Sequence, residues 1–322
     1  MKTISIVIPC YNEEGNVRPI CTAVREVLKT ELPSYGYEIL LIDNKSTDGT
    51  RSVIRELCRE DPCIKAIFNI QNFGQFNSPY YALWQTSGDC VILLCADFQD
   101  PVELIPKMVH AWEEGHRVVC MIKTSSKENR FLYFLRSVYY KMIKAMSNVR
   151  QIEHFTGFGL YDRSFIEILK SLRDSTPFLR GIVAEYAPDR LEIPYEQQLR
   201  RKGKTHNNFF SLFDAAMLSF TSYTKGGLRF ATFCGFAISA VSFLIAIFYL
   251  IQKLVYWDKF MAGNAPILIG VFFLGGIQLF FIGLLGEYIM SMNTRIIDRP
   301  LVIEEERINF EDDGREEGRA DG

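Results

Sequence analysis

Val91-Ile92-Leu93-Leu94-Cys95-Ala96-Asp97-Phe98-Gln99-Asp100-Pro101 is an apolar run that breaks into carboxylates. The run makes a buried strand, and the carboxylates place oxygen ligands where that strand ends. Open α/β sheets bind their ligands at the carboxyl edge. A hard divalent cation held by one or two carboxylates, with phosphate oxygens in its other positions, is the usual Mg²⁺ arrangement. A solvated turn after a strand would read the same way, so the neighbouring segments decide.

Those segments alternate. Ile4–Ile8 reads as a strand, followed by a helix from Asn12-Glu13-Glu14 to about Lys29. Tyr37–Ile42 is a second strand, and Ser46-Thr47-Asp48 caps a helix through Arg59. Ile64–Phe68, Cys90–Leu94 and Val118–Ile122 are further strands, with helices over Pro79–Thr86 and Pro101–Glu114. Alternating strands and helices imply a mostly parallel, doubly wound sheet. Pro9 to Glu14, Asp43 to Asp48 and Asp97 to Asp100 then meet at one edge, where a nucleotide would sit. No Gly-x-Gly-x-x-Gly follows the first strand and there is no Walker loop. Phosphate charge must therefore be met by a metal at Asp97 or by the basic run Arg200 to Lys204, whose arginine forks fit phosphate oxygens.

The net charge of −2 gives no reason to expect nucleic acid. Eight cysteines occur without a Cys-x-x-Cys pair, and most lie in apolar runs, as buried thiols of a reducing compartment would. The first residues, Met1 to Pro9, have too short an apolar run for a signal peptide. Residues 1–207 read as a soluble domain. No charge occurs from Phe230 to Gln252, nor from Phe260 to Gly286, and each run exceeds the ~20 residues that cross a bilayer as a helix. The expected spans are 230–252 and 262–288, a hairpin within 229–290. Basic residues flank it on the domain side, which places the domain and both termini in the cytoplasm, under the cytoplasmic (inner) membrane. Residues 208–228 carry Phe209, Phe210, Leu212, Phe213, Ala216, Met217 and Phe220 at helical spacing, as an amphipathic helix in the membrane interface does. Residues 291–322 form a cytoplasmic tail. Its part from Glu304 to Gly322 is charged and glycine-containing and is read as disordered.

Ile8-Pro9-Cys10-Tyr11-Asn12-Glu13-Glu14, Asp43-Asn44-Lys45-Ser46-Thr47-Asp48-Gly49-Thr50 and Ala96-Asp97-Phe98-Gln99-Asp100-Pro101 resemble family 2 glycosyltransferases of the GT-A fold. Phe178-Leu179-Arg180-Gly181, Arg200-Arg201-Lys202-Gly203-Lys204-Thr205, two spans, Leu285-Gly286-Glu287-Tyr288 and Arg299-Pro300-Leu301 follow in order. That order is similar to the polyprenyl-phosphate branch, which includes dolichyl-phosphate mannose synthases and undecaprenyl-phosphate glucosyltransferases. The resemblance implies an inverting transfer of one sugar, glucose first, from a UDP-sugar to a polyprenyl phosphate. It implies that Pro9, Tyr11, Asn12, Glu13 and Asp43 cradle the nucleotide, with Asp48, Gly74, Gln75 and Ala96 nearby. Asp97 and Gln99 would hold Mg²⁺ or Mn²⁺. Arg200, Lys202, Lys204 and Thr205 would meet the acceptor phosphate, although the same basic run would serve as an anionic-lipid patch. Asp97 and Arg200 would be the catalytic pair, and the chain a homo-oligomer such as a tetramer.

The departures carry information. Cys95 stands where the family's metal motif starts with Asp, and Asn44 replaces a second acid. Thr156-Gly157-Phe158-Gly159 stands where the family has Gly-Asp-Phe-Arg. A phosphate monoester has a second pKa near 6 and is largely a dianion at neutral pH, so it needs no base. Positioning and charge stabilisation then carry the reaction. Asp162, Glu153 and His154 are the nearby fallback bases. Two other functions compete: transfer to a glycan or glycolipid acceptor, and a decayed site that only binds nucleotide-sugar.

Overall fold

The computed structural model describes residues 1–124, 152–172, 174, 176–198, 264–297 and 299–310, with isolated positions between 233 and 255. The chain divides into two units. The described part of the first contains β1 (Thr3–Cys10), α1 (Glu14–Glu31), β2 (Gly36–Asp43), α2 (Thr50–Glu60), β3 (Ile64–Asn69) and α3 (Gly74–Trp84). It continues with β4 (Cys90–Leu93), a short 3₁₀ turn (Val102–Leu104), α4 (Ile105–Glu113), β5 (Val118–Lys123), β6 (Phe155–Asp162), α5 (Arg163–Ser171), α6 (Leu179–Tyr186), β7 (Leu191–Tyr195) and β8 (Glu304–Ile308).

These strands form one sheet in the order β7-β5-β6-β4-β1-β2-β3-β8. Its centre is parallel, β1 pairing with β2 and β4, and β2 with β3. Ile4, Ile6 and Ile8 alternate onto one face with Ile39 and Leu41, and pack under Val17, Ile20 and Val24 of α1, Ile54 and Leu57 of α2, and Met108 and Trp112 of α4. The opposite face is buried as well: Val7, Leu40, Ile42 and Val91 have no exposed surface. There Tyr80 of α3 donates to the Leu169 carbonyl of α5 at 3.0 Å. Burial on both faces explains why these strands read as unbroken apolar runs.

The sequence expectation of a mostly parallel sheet holds at the centre and weakens at the margins. β6 runs antiparallel between β4 and β5, and β8 runs antiparallel beside β3. The second is a correction. The stretch from Glu304 reads as disordered by composition, yet Glu304–Ile308 is an edge strand. Its charges are paired: Arg55 with Glu306 at 2.6 Å, Lys45 with Glu305 at 2.8 Å, and Arg307 with Glu304 at 2.6 Å. Charge on an edge strand also blocks pairing with other chains.

In the second unit α7 (Asn264–Ile296) has 33 residues, about 50 Å of helix, against a hydrocarbon core of about 30 Å. Among the described residues it is the helix long and apolar enough to cross a membrane, and none of its Phe273–Met290 window is buried. About half of the expected span at 230–252 falls outside the described residues, and the expected interface helix at 208–228 falls outside them altogether.

At the amino edge of the sheet Glu38 is 4% exposed. It accepts from Ser5 Oγ and the Ser87 amide, each at 2.6 Å, from the Gly88 amide at 3.2 Å, and pairs with Lys65 at 2.6 Å. Burial pushes its carboxyl up, but Lys65, Ser5 and Ser87 outweigh burial and hold it below the ordinary value. A depressed folded pKa gives stability that is full above the unfolded value of about 4.3 and lost as pH falls through the folded one. Glu38→Ala leaves these donors facing one another and should cost about 3 kcal/mol, read as a lower Tm at neutral pH. The gap to the parent should narrow in acid.

Candidate active site

The carboxyl ends of β1, β2 and β4 meet at one edge, as expected. Cys10 is level with Asp43 across the β1–β2 pair, and Val7 is level with Leu93 across β1–β4. Two loops are zipped together there. The Asn12 amide donates to Ser46 Oγ (2.9 Å), the Thr47 amide to Asn12 Oδ1 (2.8 Å), and the Glu13 amide to Thr50 Oγ1 (2.8 Å). Asn12 takes φ +57°, a region that asparagine tolerates better than most residues. Pro9, Tyr11, Asn12 and Glu13 all keep partial exposure, as a ligand-facing loop requires.

Asp48 receives the Thr50 amide at 3.1 Å and the Glu14 amide at 3.3 Å, so it joins the start of α2 to the start of α1. Burial raises its carboxyl, but Thr50 and Glu14 outweigh that and leave it lowered. The helix cap itself is Gly49, not Asp48.

Asp43 has no exposed surface. It accepts the Ser46 amide at 3.2 and 3.3 Å and pairs with Arg51 Nε at 3.2 Å. Burial is the larger influence and raises its carboxyl, against Ser46 and Arg51. Arg51 carries no motif signal and was not singled out from the sequence.

Asn44 explains its own departure from the family pattern. Its Oδ1 accepts the Phe73 amide (2.9 Å) and Asn69 Nδ2 (3.1 Å). Its Nδ2 donates to Asn72 Oδ1 (2.8 Å) and the Gly74 carbonyl (3.1 Å). An amide both accepts and donates, whereas a carboxylate only accepts. Asn44 thereby fixes the turn that leads into Gly74, at φ +86°, and exposed Gln75 at the start of α3.

After β4 the chain makes a tight loop. Ala96 and Asp97 are buried at 3% and 4% exposure, and Asp97 Oδ1 accepts the Gln99 amide at 3.1 Å. Phe98 takes φ +61° with its ring buried, a conformation that costs on the order of 1–2 kcal/mol and that the surrounding packing imposes. Asp100 is fixed by partners of its own. It is 2% exposed and turns inward, accepting Tyr195 Oη at 3.0 Å and the Cys95 amide at 3.2 Å. Burial raises its carboxyl. Among the described residues no three His, Cys, Asp or Glu side chains form a metal-holding group.

Two fallback bases change standing. Asp162 is level with Cys90, at the edge opposite the Asp97 loop. It caps α5 through the Ser164 amide (2.9 Å) and accepts Trp112 Nε1 (2.8 Å), which is a structural role. His154 and Glu153 precede β6 and therefore lie towards the Asp97 edge, with the His154 carbonyl accepting the Lys123 amide at 3.3 Å. The segment 156–159 lies within β6. Gly157 has φ +105°, and a Cβ on Gly159 would sit 2.3 Å from the Val119 carbonyl oxygen. A side chain at 157 would be strained by that φ, and one at 159 would collide with backbone. Arg200, Lys202, Lys204 and Thr205 lie outside the described residues.

The glycosyl transferase family 2 model matches residues 5–169. The chain belongs to glycosyl transferase family 2. It is therefore a glycosyltransferase. It is 31% identical over 301 residues to the SfII prophage-derived bactoprenol glucosyl transferase of Shigella flexneri, covering 93% of this chain and 96% of that one. A prophage bactoprenol glucosyl transferase homolog of Escherichia coli K12 is 30% identical, with 93% and 97% covered. Among solved structures, mannosyl-3-phosphoglycerate synthase from Rubrobacter xylanophilus is 19% identical over 67% of this chain and 71% of its own, with a TM-score of 0.48.

Two substitutions test this geometry. Gly159→Arg, which restores the family side chain, should give no gain in turnover and a lower Tm, by about 2 kcal/mol or more of overpacking. Asn44→Asp should set a carboxylate against Asn72 Oδ1 and the Gly74 carbonyl. A loss of about 1–3 kcal/mol in the turn should appear as a raised KM for the sugar donor.

Proposed function

We propose that the chain transfers one glucosyl unit from UDP-glucose to a polyprenyl phosphate of the bactoprenol type at the cytoplasmic face of the membrane. The observation that carries this reading is the extent of the likeness to the bactoprenol glucosyl transferases. It runs over 301 residues, well past the family 2 match and through α7.

A phosphate oxygen of the acceptor attacks the anomeric carbon from the face opposite the diphosphate. A new C–O bond forms, and the bond from the anomeric carbon to the β-phosphate oxygen breaks. Its electron pair leaves on UDP. The configuration inverts, and no proton needs to move because the acceptor enters as a dianion. That removes the need for a carboxylate at Gly157.

The residues at the β4 end fit a hard divalent ion. Asp97 would supply a carboxylate and Gln99 an amide oxygen, with diphosphate oxygens and water for the rest. The Cys95 thiol beside them is soft and suits neither Mg²⁺ nor Mn²⁺. When bound, the ion takes up negative charge on the departing diphosphate. Pro9, Tyr11, Asn12, Glu13, Asp43 and Asp48 hold the nucleotide, with Gly74, Gln75 and Ala96 beside it.

Arg200, Lys202, Lys204 and Thr205 receive the acceptor phosphate. Support comes from the chain itself. The Gln198 amide donates to the Gln99 carbonyl at 3.1 Å, and Arg200 follows two residues later, at most about 7 Å of chain. The membrane arrangement belongs to the same proposal: a domain over 1–207, an interface helix over 208–228, spans at 230–252 and 262–288, cytoplasmic termini and a homo-oligomer such as a tetramer. A prenyl chain lies in the bilayer with its phosphate at the surface, so the enzyme must sit there too.

The test uses full-length protein in detergent with Mn²⁺ or Mg²⁺, undecaprenyl phosphate and labelled nucleotide sugars. Label should enter the organic phase from UDP-glucose. Asp97→Ala should lower turnover about a thousandfold, the scale of several kcal/mol of charge stabilisation, and EDTA should abolish it. Intact nucleotide binding with no lipid label from any donor would reject the acceptor.

A further inference from the structure

β8 follows the last apolar helix directly in sequence, yet it ends up at the donor edge. Glu306 is level with Phe68 and Glu304 with Asn69. Glu305 accepts from two cations, Lys45 Nζ at 2.8 Å and Arg51 Nη2 at 2.9 Å. Lys45 belongs to the loop between Asp43 and Asp48 and has φ +63°. The same Arg51 guanidinium places Nε 3.2 Å from Asp43 and lies over the Phe68 ring, 5.0 Å from its centroid. One arginine thus joins a fully buried carboxylate at the end of β2 to the C-terminal strand.

The strand is anchored on both sides of Glu305. Tyr81 Oη donates to Glu304 Oε1 at 2.8 Å, and Arg55 pairs with Glu306 at 2.6 Å. Beyond the strand, Asn309 Nδ2 donates to the Cys58 and Ile64 carbonyls at 2.7 and 2.8 Å. Lys45, then Arg51, lower the Glu305 carboxyl to about 2, as expected of an acid held between two cations.

We infer that Glu305 is a positioning residue for the sugar donor, acting through Arg51 and Lys45 on the Asp43–Asp48 loop. The inference rests on the reading of that loop as the nucleotide site. Arginine and lysine are rotamer-rich, and a carboxylate that receives both narrows where they point. With Glu305 in place, Arg51 is held against Asp43 and Lys45 is held to the C-terminal strand. A domain lacking the segment after α7 lacks this brace, so the donor site is complete only in a chain that continues beyond its membrane helix.

A plain surface ion pair would contribute little, because Glu305 and Lys45 are 41% and 42% exposed in their side chains. Arg51, at 17%, and Asp43, at 0%, make the difference. The two readings diverge in kinetics. A surface pair predicts no change in donor binding, whereas a brace predicts a change in donor KM with kcat kept.

The experiment compares full-length Glu305→Gln, Glu305→Asp and the control Glu192→Gln in detergent. It measures UDP binding with Mn²⁺, KM for UDP-glucose and for undecaprenyl phosphate, and hydrogen exchange without nucleotide. Glu305→Gln should weaken UDP binding and raise donor KM about three- to fivefold, the scale of a half-exposed ion pair, with kcat and acceptor KM unchanged. Glu305→Asp should recover most of the loss, and Glu192→Gln should match the parent. Exchange at residues 44–51 should be faster in Glu305→Gln. Unchanged donor binding, or unchanged exchange at 44–51, overturns the inference. A parent protein that binds no nucleotide strikes the donor reading instead, and the exchange measurement still decides the brace.

Discussion

Asp43 is a carboxylate without exposed surface at the end of a central strand, and a buried charge must be paired or it drives the fold apart. Much of the site follows from how this chain meets that requirement. Ser46 turns its amide back onto the carboxylate, which shapes the loop after β2. That loop then offers Ser46 Oγ and the Thr47 amide to Asn12, which shapes the loop after β1. Arg51 supplies the cation, and its second arm reaches Glu305 in β8. The same geometry leaves Asp43 short of full solvation, so its carboxyl stays above the ordinary range. Asp43 thus shapes the loops around the site from inside the fold.

The central strands and the three polar loops were legible because their signals are local. Unbroken apolar runs mark strands covered on both faces, and polar clusters at their ends mark the ligand edge. α3 shows where local reading runs out: it begins at Gly74 rather than Pro79, because the Asn44 contacts that start it come from thirty residues earlier in the chain. β6 and β7 gave no strong pattern because their glycines and proline weaken the alternation. β8 was misread for a physical reason. Glu304-Glu305-Glu306-Arg307 has the composition of a solvated tail, and only its partners on α2, α3 and the β2 loop turn those charges into a strand. Composition reports what a segment would do alone, and an ion-paired edge strand is never alone.

Asp100 and Asp97 sit three residues apart and differ in fate for the same kind of reason. Sequence presents them as equivalent oxygens. In the fold, Tyr195 comes from β7 to take up Asp100, a contact with a separation of 95 residues that no local pattern reveals. Asp97 Oδ1 accepts the Gln99 amide, within a loop whose strained Phe98 is held by burial. Asp100 is thereby the peg that holds the loop carrying Asp97.

The glycines of β6 bear on how much catalytic machinery such an enzyme needs. A side chain at Gly159 would meet the Val119 carbonyl and one at Gly157 would be strained by its positive φ, so the acid and the arginine of the wider family pattern are disfavoured at both positions. Tyr161 Oη donates to the Gly157 carbonyl at 2.7 Å and locks that geometry in place. A nucleophile that needed deprotonation would make this arrangement self-defeating. A phosphate dianion does not, because its charge is present before it binds. What remains for the protein is to hold two anions close enough to react, a task that the proposed function gives to Asp97 on the donor side and to the basic run on the acceptor side. The loss of a base and the choice of a lipid phosphate are thus consistent with each other on chemical grounds alone.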